Sequence, residues 1–332
     1  MKRQYKTISL LLLISIINFS AVAFGESKYV SMGELRAETP DRWQETYATS
    51  EGTTVSVDIP IILPRVDKVP IVRITWGGPY YIFDETAVVT ENTENHLDAE
   101  FQTTPTEEIT RAQAPNVYIQ NLKDKIPELQ SRDFENYMLI EENSELYGKC
   151  FRMAFYSKYH GIPYLISQNF RMDVPSERVA DLPPVPANVS QGGLVNGQFG
   201  VNLCSPKEIG IEMEDIPLLN FADVLEVFEK WIRDGYVYSL DEMRFGYMAF
   251  IDPHQKGKEY VLLPVWVAKG ITRGALGMPF YPDEDPESLT FTAYMNPTVC
   301  AVNAQTGEKY AFVDDNRKDR RFVPHIITWN EV

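Results

Sequence analysis

Aromatic rings gather in the stretch WGGPYYIF, Trp76 to Phe83, where Trp76, Tyr80 and Tyr81 surround a turn made by Gly77, Gly78 and Pro79. Rings of this kind stack on sugars or anchor a protein partner when exposed, and fill a core when buried. Trp76, Tyr80 and Tyr81 are therefore the candidate ligand-binding residues. His96, His160, His254 and His325 are scattered, with no H-E-x-x-H and no paired cysteine spacing, so a zinc site lacks its local geometry. His160 and His254 fall at predicted hairpin tips. The acidic run YPDEDPESL, Tyr281 to Leu289, offers Asp283, Glu284, Asp285 and Glu287. It lacks the alternating ligands and central glycine of a calcium loop and is read as a solvated acidic loop. No metal and no cofactor is expected.

Nucleophilic signatures are also missing. There is no G-x-S-x-G elbow and no S-x-x-K with its partner motifs. Cys150, Cys204 and Cys300 coexist with the histidines, but sequence places no histidine beside any cysteine. They are read as small buried apolar residues, with one disulfide as the alternative. GGLVNGQFG, Gly192 to Gly200, has no Lys-Ser/Thr ending and is not a phosphate loop. No catalytic residue is assigned. A hydrolase stays open as an alternative, because paired carboxylates are set by distance in space rather than by spacing in sequence.

The N-terminus speaks to compartment. MKRQYK is a positive segment, Ile8 to Phe19 is apolar, and small residues follow. This is the pattern of a secretory signal peptide over residues 1–25, cleaved after Ala23 or after Gly25. The alternative is an uncleaved anchor, and membrane association is expected only in that case. Cys150 is the first cysteine, which argues against a lipoprotein. The net charge is −16, and cleavage would remove Lys2, Arg3 and Lys6 and leave a more acidic chain. Such a surface repels nucleic acid. The expected localisation is secreted or extracytoplasmic.

Two helices and several hairpins must position whatever site exists. NFADVLEVFEKWIRDG, Asn220 to Gly235, has Asn220 as its cap, Asp223 three residues on to reach back, and Phe221, Leu225, Phe228 and Ile232 on one face. Gly235 stands where a left-handed C-terminal cap is wanted. NVYIQNLKDKI, Asn116 to Ile126, is a weaker helix limited by Pro127. Val55, Val57 and Ile59 share one side of a strand, as do Val72, Ile74 and Trp76. Cys150 to Phe170 reads as a hairpin turning near His160-Gly161, and Met243 to Val267 as another turning at Asp252 to Gly257. CAVNAQTGEKYAF, Cys300 to Phe312, is a third. Gln305, Thr306 and Gly307 make its turn, with Gly307 supplying a positive φ.

Asp181 to Gly200 is rich in Pro, Gly, Asn and Ser and reads as a linker. It separates an N-terminal α+β domain, 26–180, from a C-terminal one, 201–332. Each half carries a helix and then a hairpin containing Met-Ala-Phe, Met153 to Phe155 and Met248 to Phe250. The expected fold class is α+β, with two related units, each an antiparallel sheet packed against a helix.

The second unit has a further outline: a capped helix, a hairpin ending in Glu259 to Trp266, and a closing strand reading Val302-Asn303-Ala304-Gln305-Thr306-Gly307-Glu308. This resembles PepSY-like domains, whose closing strand usually carries aspartate where Asn303 stands. It is also similar to the tandem YycH/YycI-type extracytoplasmic regulators of Gram-positive bacteria. The resemblance covers Asn220 to Val313, with a fainter echo from Asn116 to Phe170. It implies an exported, non-catalytic protein that binds, and possibly modulates, an envelope or extracellular protein partner. An extracellular glycan- or ligand-binding module using Trp76 is the other binding class.

Overall fold

Two long strands, Val237–Ile251 and Glu259–Thr272, pair antiparallel and form the spine of the sheet. The computed structural model describes residues 28–50, 52–75, 79–82, 106–125, 129–144, 148–166, 189–195, 198–204, 206–235, 237–251, 259–272, 298–311 and 326–332. In chain order the elements begin with β1 (Tyr29–Val30), α1 (Met32–Glu38), β2 (Arg42–Ala48), β3 (Thr54–Ile62), β4 (Ile71–Thr75) and β5 (Pro79–Ile82). A 3-10 turn at Thr106–Glu108 precedes α2 (Ala114–Lys125). Then come β6 (Asp133–Ser144), β7 (Gly148–Tyr159), β8 (Ile162–Ile166), β9 (Val189–Val195), β10 (Gln198–Cys204), β11 (Lys207–Met213) and β12 (Leu218–Leu219). The chain closes with α3 (Phe221–Arg233), β13 (Val237–Ile251), β14 (Glu259–Thr272), β15 (Thr298–Asn303) and β16 (Lys309–Ala311). The fold is α+β, mostly sheet, with three α-helices among the described residues. None of these helices is long and apolar enough to cross a membrane.

Fourteen of the strands join in one curled sheet whose main path runs β11-β4-β14-β13-β8-β7-β9-β10-β5. β13 and β14 pair antiparallel from Val237–Thr272 to Ile251–Tyr260. One edge of β14 takes β4 at Glu259 to Leu262 and β15 at Val265 to Lys269. The far edge of β13 takes β3 and β8, both parallel. β15 and β16 thus complete the sheet around the spine, as expected of the Cys300–Phe312 hairpin. The β7–β8 hairpin turns at His160 (φ 50°) and Gly161 (φ 81°), as read from the sequence.

Among the described residues two apolar clusters form. The larger joins Val30 to Ile74 with Ile216 to Ala304 around the fully buried Trp266, whose ring lies 5.5 Å from Phe221 and 5.4 Å from Phe245. The smaller packs α2 on β7, with Tyr118 stacked 5.1 Å from Phe155. The larger cluster joins residues from both sides of 181–200. The first turns of the chain belong with α3: Glu38 accepts from the Phe221 N–H at 2.5 Å, and the Tyr47 hydroxyl donates to Glu229 at 2.9 Å. Within 181–200, Val189–Val195 is β9, and β10 begins at Gln198; β9 pairs with β7.

α3 follows its sequence signals, with one change. Asn220 accepts from the Asp223 N–H at 2.9 Å, and Gly235 takes a left-handed φ of 84°. Asp223 does not reach back to the Asn220 backbone, because that N–H donates to the Lys28 carbonyl at 3.0 Å. The buried face is Phe221, Val224, Phe228, Trp231 and Ile232, with Leu225 only half-buried.

Candidate functional site

Tyr80 and Tyr81 lie in β5, opposite Leu203 and Asn202 of β10. Trp76 falls outside the described residues, as do His96, His254, His325 and the acidic run Tyr281 to Leu289. The aromatic triad is therefore placed only in part, as sheet backbone. Cys150 is free and buried, and burial pushes its thiol pKa up, which makes a poor nucleophile. Among the described residues no group of His, Cys, Asp or Glu is placed to share a metal ion.

Gly307 does what a turn residue must, with φ 73°. Its neighbour Gln305 does more. The turn is shaped by Asn303, whose Oδ1 accepts from the N–H groups of Gln305 at 2.8 Å and Thr306 at 3.0 Å. An amide oxygen fills this role as a carboxylate would. Gln305 is freed to point inward. It is 2% exposed and donates to the carbonyls of Pro217 at 2.9 Å and Ile327 at 2.7 Å.

A cluster of charged groups lies where β6 and β7 meet the spine. β8 and β13 approach closely there: a Cβ on Gly246 would sit 2.5 Å from the Pro163 carbonyl oxygen. Beside that contact, Arg244 of β13 pairs with Glu135 of β6 and, at 3.1 Å, with Glu242. Lys269 of β14 reaches Glu242 at 2.6 Å, and its Nζ lies 4.9 Å from the Tyr156 ring and 5.3 Å from the Tyr137 ring. Those two rings stack at 4.1 Å. Arg244 and Lys269 are both buried. Burial alone would raise the Glu242 carboxyl pKa, but the Lys269 and Arg244 charges outweigh it and hold that pKa below its usual range. Burial lowers the Lys269 pKa, and the nearby Arg244 adds to the shift. Tyr156 is raised, chiefly by burial. Both carboxylates are committed to cations. The seam is a joint between two cores, and sequence spacing gave no hint of it because its partners lie 109 residues apart.

An open edge lies at the other end of the sheet. β11 ends the strand path and pairs with β4 alone among the described residues, with register shifts between Glu208 and Gly210 and between Ile211 and Met213. Ile209 is 45% exposed and Ile211 38%. Glu208 lies 3.0 Å from His160, and Glu212 lies 3.0 Å from Arg73. Asp215 accepts only neutral donors in the described structure, the Val69 N–H at 3.1 Å and the Trp329 indole N–H at 3.3 Å. An unpaired strand edge offers backbone donors and acceptors, and exposed isoleucines beside it offer apolar contact. The sequence signal is the alternation Ile209, Ile211, Met213.

No family model and no curated protein matches this chain. Among solved structures, an uncharacterized protein from Eubacterium rectale ATCC 33656 is similar at 10% identity, over 86% of this chain and 96% of that one, with a TM-score of 0.46.

Proposed function

We propose that this chain is an exported, non-catalytic protein that binds an envelope or extracellular protein partner, and that the β11 edge is where the partner docks. The signal-like N-terminus supports export. The observation that carries the reading is the pair Ile209 and Ile211, exposed on a strand whose outer side has no strand neighbour among the described residues. An extended partner segment would add to the sheet through main-chain hydrogen bonds, with the isoleucines supplying specificity. The finer arrangement, two related PepSY-like units, belongs to the same proposal. Its support is that Met-Ala-Phe recurs on β7 and β13.

The test replaces Ile209 and Ile211 together by Ser. Cross-linking on intact cells should capture one dominant protein with the parent chain and lose it with the variant, while thermal unfolding is unchanged. Equal capture by both chains would remove the edge from the account.

A further inference from the structure

We infer that the occupant of the β11 edge is an extended cationic segment, in which an apolar pair separated by one residue is flanked by Lys or Arg. This rests on the docking reading above and concerns the same surface. The sequence Glu208-Ile209-Gly210-Ile211-Glu212 is a palindrome about Gly210. Two isoleucines flank a glycine, and a carboxylate stands outside each. Apart from its two chain neighbours, nothing lies within 4 Å of a Cβ built on Gly210, so the backbone there is open to an approaching strand.

The electrostatics set the sign. Glu212 is compensated by the Arg73 guanidinium, and among the described residues Glu208 has the His160 imidazole beside it. Glu214 is exposed and pairs with no cation among the described residues, and Asp215 rests on uncharged N–H donors. Against these stand Lys207 and Arg73. The edge is net negative, on a chain of charge −16. A second copy of β11 would set these carboxylates against their own kind, and like charges placed opposite are destabilising. A cationic segment meets them favourably.

Fluorescence anisotropy with the full exported chain tests this. The probes are a labelled peptide containing Lys-Val-Thr-Ile-Arg, its reversed sequence, and one containing Glu-Val-Thr-Ile-Glu. Both cationic peptides should bind at least tenfold more tightly than the acidic one at low salt, and weaken as salt rises. The Ile209→Ser, Ile211→Ser variant should lose that binding, and Glu214→Gln should weaken it. If cationic and acidic peptides bind alike and both are lost in the double variant, the charge inference is wrong and the edge reading stands. If the cationic peptides bind the double variant as well as the parent, attraction is to the acidic surface at large and the edge reading falls. No binding by any peptide overturns the cationic inference, while the cross-linking comparison still decides the edge.

Discussion

Gln305 and Ile327 grip each other from both sides: the Gln305 Nε2 donates to the Ile327 carbonyl at 2.7 Å, and the Ile327 N–H donates to Gln305 Oε1 at 3.3 Å. A residue that reads as turn chemistry is thus the clamp between the closing hairpin and the segment 326–332. Gln305→Ala would leave the buried Pro217 carbonyl and the Ile327 groups without their partner. The expected loss is about 1–3 kcal/mol in urea unfolding. An unchanged midpoint would mean that water replaces the amide at no cost.

Arg244 is the keystone of the charged seam. Its side chain is 8% exposed and serves Glu135 and Glu242 together. Removing one partner of a buried ion pair leaves a charge uncompensated, so Arg244→Ala should cost about 3–5 kcal/mol. A double-mutant cycle with Glu242→Gln should show coupling, since both residues belong to one network.

The same seam predicts an acid limb. Glu242 has a folded-state pKa held below its unfolded value of about 4.3. Its stabilising contribution is therefore complete above that value and disappears as pH falls through the lower, folded one. Glu242→Gln should be less stable than the parent at neutral pH, and the gap should close as the pH is lowered below about 4. Chemical denaturation across a pH series reads this directly. A gap that stays constant down to acid would separate the loss from ionisation.

Gly307 holds φ at 73°, and Val tolerates that region poorly. Gly307→Val should destabilise the fold by roughly 1–2 kcal/mol. An unaltered thermal melt would remove the turn assignment.

Much of this fold was legible where signals are local. Asn220 and Gly235 bracket α3, the alternation Val55, Val57, Ile59 marks β3, and His160-Gly161 marks a turn. One local signal was available and unread: Ser31 and Glu34 form a capping box, with Ser31 N–H to Glu34 Oε2 at 2.8 Å, and this starts α1. Other features are not local. Asp133–Ser144 lacks clean alternation, because Tyr137 packs toward one core while Phe134 and Leu139 pack toward the other. The seam depends on Glu135 and Arg244 meeting through tertiary pairing. Glycines in 192–200 suggest a loop, yet Gly192 and Gly193 sit in register opposite Met153 and Arg152. An edge such as β11 is defined by what does not pair with it, and no window of sequence encodes that.

The most direct measurement of the central claim is site-specific photo-cross-linking on intact cells, with the photoreactive residue placed at Ile209 or, for comparison, at the exposed Ala222 on α3. The account predicts one reproducible protein partner captured from position 209 and absent from position 222. The same capture from both positions, or none from 209, would contradict docking at the β11 edge.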